Sequence, residues 1–153
     1  MDTLRVLVVD DEAGIRMAVD RALRTFAVRL PDMGCEFGLA IEQAASGEEA
    51  LEAIRQSAPD ILLLDYKMPG ISGLDLMDRL VADGIEVLTI VITAYASLET
   101  AVAATKRGGF DFLAKPFSPD ELKSVMFKAA KHLVVQREAR RLAEERKRVR
   151  FEL

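Results

Sequence analysis

The sequence predicts an α/β fold: a five-stranded parallel sheet covered on both faces by helices, with an extended helix at the carboxyl end. Three observations carry the prediction. Short apolar runs rich in Val, Ile and Leu alternate with segments of helical periodicity. Four of these runs end on a polar residue at the same edge of the sheet, namely Asp10, Asp65, Thr93 and Lys115. From Asp120 to Leu153 there is neither Gly nor Pro, so nothing stops the last helix.

The elements follow in order. Leu4-Arg5-Val6-Leu7-Val8-Val9 has the length and β-branched content of a buried strand. Gly14 to about Thr25 reads as a helix with Ile15, Val19, Ala22, Leu23 and Phe26 on its apolar face. Ala40–Ala44 is the second strand, and Ser46-Gly47-Glu48-Glu49 opens a second helix through Ile54, with Ser46 as N-cap of a Ser-x-x-Glu capping box. Pro59-Asp60 breaks that helix before the third strand, Ile61-Leu62-Leu63-Leu64, which ends on Asp65. A third helix runs from about Ser72 to Val81 and ends near Asp83-Gly84. Val87–Ile92 is the fourth strand; a helix over Leu98–Lys106 then stops at Gly108-Gly109, and the fifth strand carries Phe112 toward Lys115. Wound right-handed in the order 2-1-3-4-5, these units make the flavodoxin-like arrangement. The segment from Ala27 to Gly38 departs from the compact pattern. It reads as a tolerated surface insertion on the amino side of the sheet or, alternatively, as an extension of the first helix or a contact to a following domain.

Asp65 sits where a buried strand meets solvent, at the carboxyl end of the strands, where open α/β sheets gather their chemistry. Asp10-Asp11-Glu12 falls at the same edge. Ionised carboxylates held together favour a cation, and hard oxygens without His or Cys suit Mg²⁺. Asp11 equally suits an N-cap for the helix beginning near Ala13. Thr93 and Lys115 taken singly read as a β former and a solvated loop residue before Pro116; their convergence on one sheet edge gives them weight.

These residues resemble a known family. Asp10-Asp11, Asp65 in an L-L-D-x-x-M-P-G setting, Thr93 in V-I-T-A-Y and Lys115 in K-P-F look like the receiver domain of two-component response regulators, of the chemotaxis-regulator type, over roughly residues 3 to 132. The resemblance implies that Asp65 is the phosphoacceptor for a phosphohistidine on a sensor histidine kinase or phosphotransfer protein. It implies Mg²⁺ held by Asp11, by Asp65, by Asp10 through water and by the main-chain carbonyl of Lys67. Lys115 and the Thr93 hydroxyl would meet phosphoryl oxygens, and Pro116 would follow a cis bond. Thr93 and Phe112 would form the switch, the aromatic ring turning inward as the Thr moves; ordinary core is the alternative for Phe112. Lys67 and Tyr95 lie where the family tunes acyl-phosphate lifetime. Chemistry would be limited to self-phosphorylation and self-dephosphorylation, without turnover of an external substrate. A haloacid dehalogenase-like phosphotransferase also uses a strand-end Asp with Mg²⁺, but its second acid lies two residues on, where this chain has Lys67. A dimerisation module that is never phosphorylated would leave Asp10, Asp11, Thr93 and Lys115 unexplained.

The tail divides the chain into a receiver over 1–132 and a helical linker over 133–153. Ser118 caps the last helix, with Asp120 and Glu121 in its first turn. Val135, Ala139, Leu142, Arg146, Val149 and Leu153 alternate four and three apart, a coiled-coil seam whose small and charged members predict a marginal homodimer. From Arg137 to Arg150 there are seven Lys/Arg and three Glu, read as a solvated helix with intrahelical pairs rather than a nucleic-acid arm. Such linkers lead to an output domain, here one outside this chain, either histidine kinase-like or an AAA+ transcription activator.

The 153 residues, half of them hydrophobic, suffice for one core plus an appendage. No apolar stretch is long enough for a bilayer, and Met1-Asp2-Thr3 does not open a signal peptide, so a cytoplasmic protein without membrane insertion is expected. One cysteine, Cys35, excludes an internal disulfide, and one histidine, His132, leaves no zinc or catalytic constellation.

Overall fold

The computed structural model describes residues 2–94 and 97–152; Tyr95, named above for acyl-phosphate lifetime, and the seam residue Leu153 lie outside them. The strands are β1 (Asp2–Val9), β2 (Val28–Leu30), β3 (Cys35–Ala44), β4 (Ile61–Asp65), β5 (Leu88–Thr93) and β6 (Asp111–Ala114). The helices are α1 (Ala13–Leu23), α2 (Gly47–Gln56), α3 (Gly73–Ala82), α4 (Leu98–Lys106) and α5 (Pro119–Glu152). The sheet order is β2-β3-β1-β4-β5-β6. From β3 to β6 all pairings are parallel, which reproduces the expected five strands in the expected order.

Alternation along the strands divides the interior in two. On β4, Ile61 and Leu63 join Val19 and Leu23 of α1 and Leu122, Met126 and Ala129 of α5 on one face. Leu62 and Leu64 join Leu51 and Ile54 of α2, Leu76, Met77 and Leu80 of α3 and Ala104 of α4 on the other. Every residue of β4 is buried, as a central parallel strand requires. Each of its aliphatic side chains contributes roughly 1.5–3 kcal/mol, so Asp65 is carried on a fully buried central strand.

The five-strand expectation needs one correction: there is a sixth strand, and it is antiparallel. The segment 27–38 neither lengthens α1, which ends at Leu23, nor lies as a surface loop. β2 pairs with the first residues of β3, Val28 opposite Phe37 and Leu30 opposite Cys35. The reversal uses a 3₁₀ turn at Pro31–Met33 and Gly34 in the left-handed region, φ 64°. Val28 and Leu30 are buried against the α1–α5 face while Arg29 between them is exposed, and this period of two fixes the register. β3 is correspondingly longer than the expected Ala40–Ala44.

Local caps set the helix starts. Ser46 Oγ accepts the Glu49 amide, Ser72 and Asp75 form a full capping box, and Ser118 Oγ accepts the Glu121 amide while Glu121 accepts that of Ser118. α5 continues without interruption to Glu152. Leu133 is its last buried residue; Val135, Leu142 and Val149 are 48, 40 and 50% exposed. Glu138 and Glu145 pair with Arg141 within the helix, while Arg137 reaches Asp60 at 2.6 Å and Arg140 reaches Glu86 at 3.3 Å. Among the described residues no helix is long and apolar enough to cross a membrane.

Candidate functional site

The parallel register brings the carboxyl ends of β1, β4, β5 and β6 to one edge. Tyr66 donates its amide to the Ile92 carbonyl at 2.8 Å and Lys115 donates to the Thr93 carbonyl at 2.8 Å, which ties the loops after β4 and β6 to the end of β5. Asp10 donates to the Ala44 carbonyl at 3.2 Å. Gly73 is required beside Asp65, because a Cβ there would collide with the Asp65 carbonyl oxygen. The Lys115–Pro116 bond is cis, as the sequence resemblance implied.

Three carboxylates converge: Asp10, Asp11 and Asp65 each offer an oxygen within 4.8 Å of the others. Asp10 is fully buried, Asp65 is 5% exposed and Asp11 faces solvent. The alternative role of Asp11 as helix cap fails, since Glu12 occupies the N-cap position and its amide bonds Asp10 Oδ1 at 2.9 Å. Lys115 supplies the charge balance, with Nζ 2.7 Å from Asp10 Oδ2, 3.5 Å from Asp65 Oδ1 and 3.8 Å from Glu12 Oε1. Apart from that ion pair, buried Asp10 Oδ2 accepts no hydrogen bond. Three clustered carboxylates, one of them fully buried and balanced by a single ammonium, make an environment that suits a hard divalent cation.

Electrostatics follow from this crowding. Burial, and next the charges of Asp10 and Asp11, raise the Asp65 pKa to about 7 against the pull of Lys115. Burial lowers the Lys115 ammonium, but its contacts with Asp10, Asp65 and Glu12 outweigh burial and hold it above the ordinary Lys value.

Thr93 is fully buried at the end of β5, next to β4. Phe112 lies opposite Val91 on β6, half-buried, where it lines a cleft of about 140 Å³ with Ala101, Ala104, Thr105 and Phe110. Lys67 is exposed on the loop after β4. Two contributors escaped the sequence reading. Arg16 donates to the Asp10 carbonyl at 2.7 Å and to Gln43 at 3.3 Å, bracing the acidic turn. Glu48 accepts the Ile71 amide at 2.9 Å. Arg16 reaches a main-chain carbonyl six residues back and Glu48 an amide 23 residues on, so neither contact carries a local sequence signal. Cys35 is a free, partly buried thiol in β3, and the His132 ring packs on Phe110 with centroids 4.8 Å apart; neither belongs to the Asp10–Asp11–Asp65 cluster.

The chain is 36% identical over 135 residues to the DNA-binding transcriptional regulator NtrC of Escherichia coli K12, covering 88% of this chain and 26% of the relative. The chain spans about a quarter of the length of the NtrC relatives it matches. It is 30% identical to the sporulation initiation phosphotransferase F of Bacillus subtilis, over 81% of this chain and 91% of that protein. Among solved structures, the signal receiver domain of the putative LuxO repressor protein of Vibrio parahaemolyticus superposes with a TM-score of 0.77 at 27% identity, covering 90% and 97% of the two chains. NtrX of Brucella abortus gives a TM-score of 0.76 at 33% identity, covering 92% of this chain and 30% of that one. The family described as response regulator receiver domain matches residues 6–127, and the chain therefore belongs to the receiver domains of two-component response regulators, phosphoacceptor signalling domains rather than enzymes of the ordinary kind.

Proposed function

We propose that Asp65 is the phosphoacceptor of this receiver and that Asp10, Asp11, Thr93 and Lys115 complete its chemistry. The observation that carries this reading is the convergence of three carboxylates and one ammonium around the end of β4. An Asp65 carboxylate oxygen attacks the phosphorus of a phosphohistidine on a sensor kinase or phosphotransfer protein; the P–N bond breaks, the imidazole leaves with the electron pair, and an acyl phosphate remains. Asp11, Asp65, the Lys67 carbonyl and, through water, Asp10 would hold Mg²⁺, which would supply charge neutralisation for the transferring phosphoryl oxygens. The Lys115 ammonium, held beside Asp65, pairs with one phosphoryl oxygen, and the Thr93 hydroxyl donates to another. Attack of water on the acyl phosphate returns Asp65 and inorganic phosphate, so the domain limits the life of its own signal.

The switch couples Thr93 to Phe112. Drawing Thr93 toward the phosphoryl group opens space behind it, and the Phe112 ring, beside the cleft under α4, has room to rotate and reshape the α4–β6–α5 surface. This is a shift between two pre-existing states. Along α5, Leu133 still belongs to the core and exposure begins at Val135, which supports a receiver that runs to about residue 134, two past the expected 132, followed by a linker. The exposed Val135, Leu142 and Val149 recur every seven residues, as a two-helix seam with a second copy requires. Of the two outputs considered, an AAA+ transcription activator is favoured over a histidine kinase-like one, because the NtrC relatives that match along the receiver are named DNA-binding transcriptional regulators. The reading is tested with phosphoramidate and Mg²⁺: the phosphoryl adduct must be released by hydroxylamine, as acyl phosphates are. A hydroxylamine-stable adduct would contradict it.

A further inference from the structure

Glu48 occupies the second position of α2, and its carboxylate crosses 23 positions of sequence to the Ile71 amide at 2.9 Å. The approach is close throughout: a Cβ on Gly47 would stand 2.7 Å from the Ile71 carbonyl oxygen, and one on Gly70, whose φ is +78°, would stand 2.5 Å from Glu48 Oε1. The amino end of α2 therefore lies directly on the loop that joins β4 to α3. That loop is also held by the Tyr66 amide on Ile92, by the Gly73 amide on the Tyr66 carbonyl at 3.1 Å, and by Met68, buried among the α2 and α3 side chains. Lys67 lies between these anchors. The Ile71 amide, and next Glu48's own amide, hold the Glu48 carboxyl below the usual carboxylate range, and a negative charge at a helix amino end is favoured by the helix dipole.

We propose that Glu48 is a positioning residue for the metal-bearing loop: by gripping Ile71 over Gly70 it fixes the path of the chain from Tyr66 and so aims the Lys67 carbonyl at the Asp10–Asp11–Asp65 cluster. The inference rests on the reading of that cluster as a Mg²⁺ site. Partners that orient a metal ligand, though they never touch the metal, contribute to its affinity. Glu48 is exposed, so its replacement leaves both cores intact.

The test is calorimetric titration of Mg²⁺ into the whole chain carrying Glu48→Ala, Glu48→Gln, Glu52→Ala or Asp11→Ala, with the thermal midpoint of each recorded. Glu48→Ala is expected to weaken Mg²⁺ by about tenfold, the low end for a partner that acts through the backbone. Glu48→Gln, whose amide oxygen still accepts the Ile71 N–H, restores affinity to within about twofold of the native chain. Glu52→Ala, on an exposed position of the same helix, leaves it unchanged. In ¹⁵N spectra the Lys67 and Ile71 amides move in Glu48→Ala and keep their native positions in Glu48→Gln. Native affinity in Glu48→Ala overturns the proposal, and so does a Glu48→Gln chain as weak as Glu48→Ala, since charge alone would then be acting. If the native chain binds no Mg²⁺, or Asp11→Ala binds it as tightly, the metal reading itself falls and this inference with it.

Discussion

Replacing Asp65 by Asn should stabilise the metal-free protein, and only at neutral and alkaline pH. Asp65 is 5% exposed and faces Asp10 and Asp11, which together with burial lift its pKa from 3.8 to about 7. Between about pH 4 and pH 7 the folded chain therefore holds a proton that the unfolded chain has released, and stability falls as pH rises across that window. A shift of about three pH units corresponds to a ceiling of about 4 kcal/mol. Water at the mouth of the cleft screens the charges, and about 1–2 kcal/mol is the expected cost above pH 7. The amide of Asp65→Asn keeps the shape of the side chain and never ionises, so in EDTA at pH 8 the variant should exceed the native chain by that amount, or about 2–8 °C in midpoint for a protein of this size. At pH 4.5 the two should converge. Added Mg²⁺ should stabilise the native chain more than the variant and narrow the gap at pH 8. Urea unfolding followed by circular dichroism at both pH values measures this. Equal or lower stability of the variant at pH 8, or an equal gap at pH 4.5, would refute the electrostatic account of the cleft.

The remaining predictions address separate parts of the structure. Lys115→Ala removes the cation 2.7 Å from fully buried Asp10 and should cost about 2–4 kcal/mol in EDTA, less with Mg²⁺; phosphorylation should persist weakly while the Phe112 resonances cease to respond to it. Leu30→Ala truncates a β2 side chain only 4% exposed and should cost about 2–4 kcal/mol by urea unfolding, against roughly ±0.5 kcal/mol if the segment were a surface loop. Leu142→Glu introduces charge at the centre of the exposed seam and should shift sedimentation toward monomer at micromolar concentration without changing the thermal midpoint of the receiver; unchanged sedimentation would remove the seam from the dimer.

What the sequence disclosed follows from the range of the interactions involved. The five parallel strands were legible because each is a short apolar run bounded by turn residues, and a buried strand of the β4 kind needs no alternation. Ser46, Ser72 and Ser118 announced helix starts because a cap acts over three residues. Strand β2 stayed hidden for the opposite reason. Val28-Arg29-Leu30 is too short to show a period by itself, and what makes it a strand is the partner Cys35–Phe37 across the turn at Gly34. Its signals, an apolar-charged-apolar triplet before Pro31 and a Gly four residues further on, sat in a segment read by length alone.

The site divides along the same line. Asp10, Asp65, Thr93 and Lys115 each end a recognisable strand, so their convergence follows from parallel topology. Asp11 was ambiguous because a residue just before a helix is both a cap and a ligand candidate; the structure gives the cap position to Glu12 and leaves Asp11 at the cleft. The contact of Glu48 with Ile71 depends on how α2 packs beside α3, which no local pattern encodes.

The central claim is that Asp65 receives the phosphoryl group with the help of a divalent cation. Intact mass after incubation with a small phosphodonor tests it most directly, comparing the native chain with Asp65→Asn, each with Mg²⁺ and with EDTA. A single phosphoryl adduct on the native chain with Mg²⁺, and none in the other three samples, is the predicted result. An adduct of equal yield on Asp65→Asn, or one that forms as readily in EDTA, would contradict it.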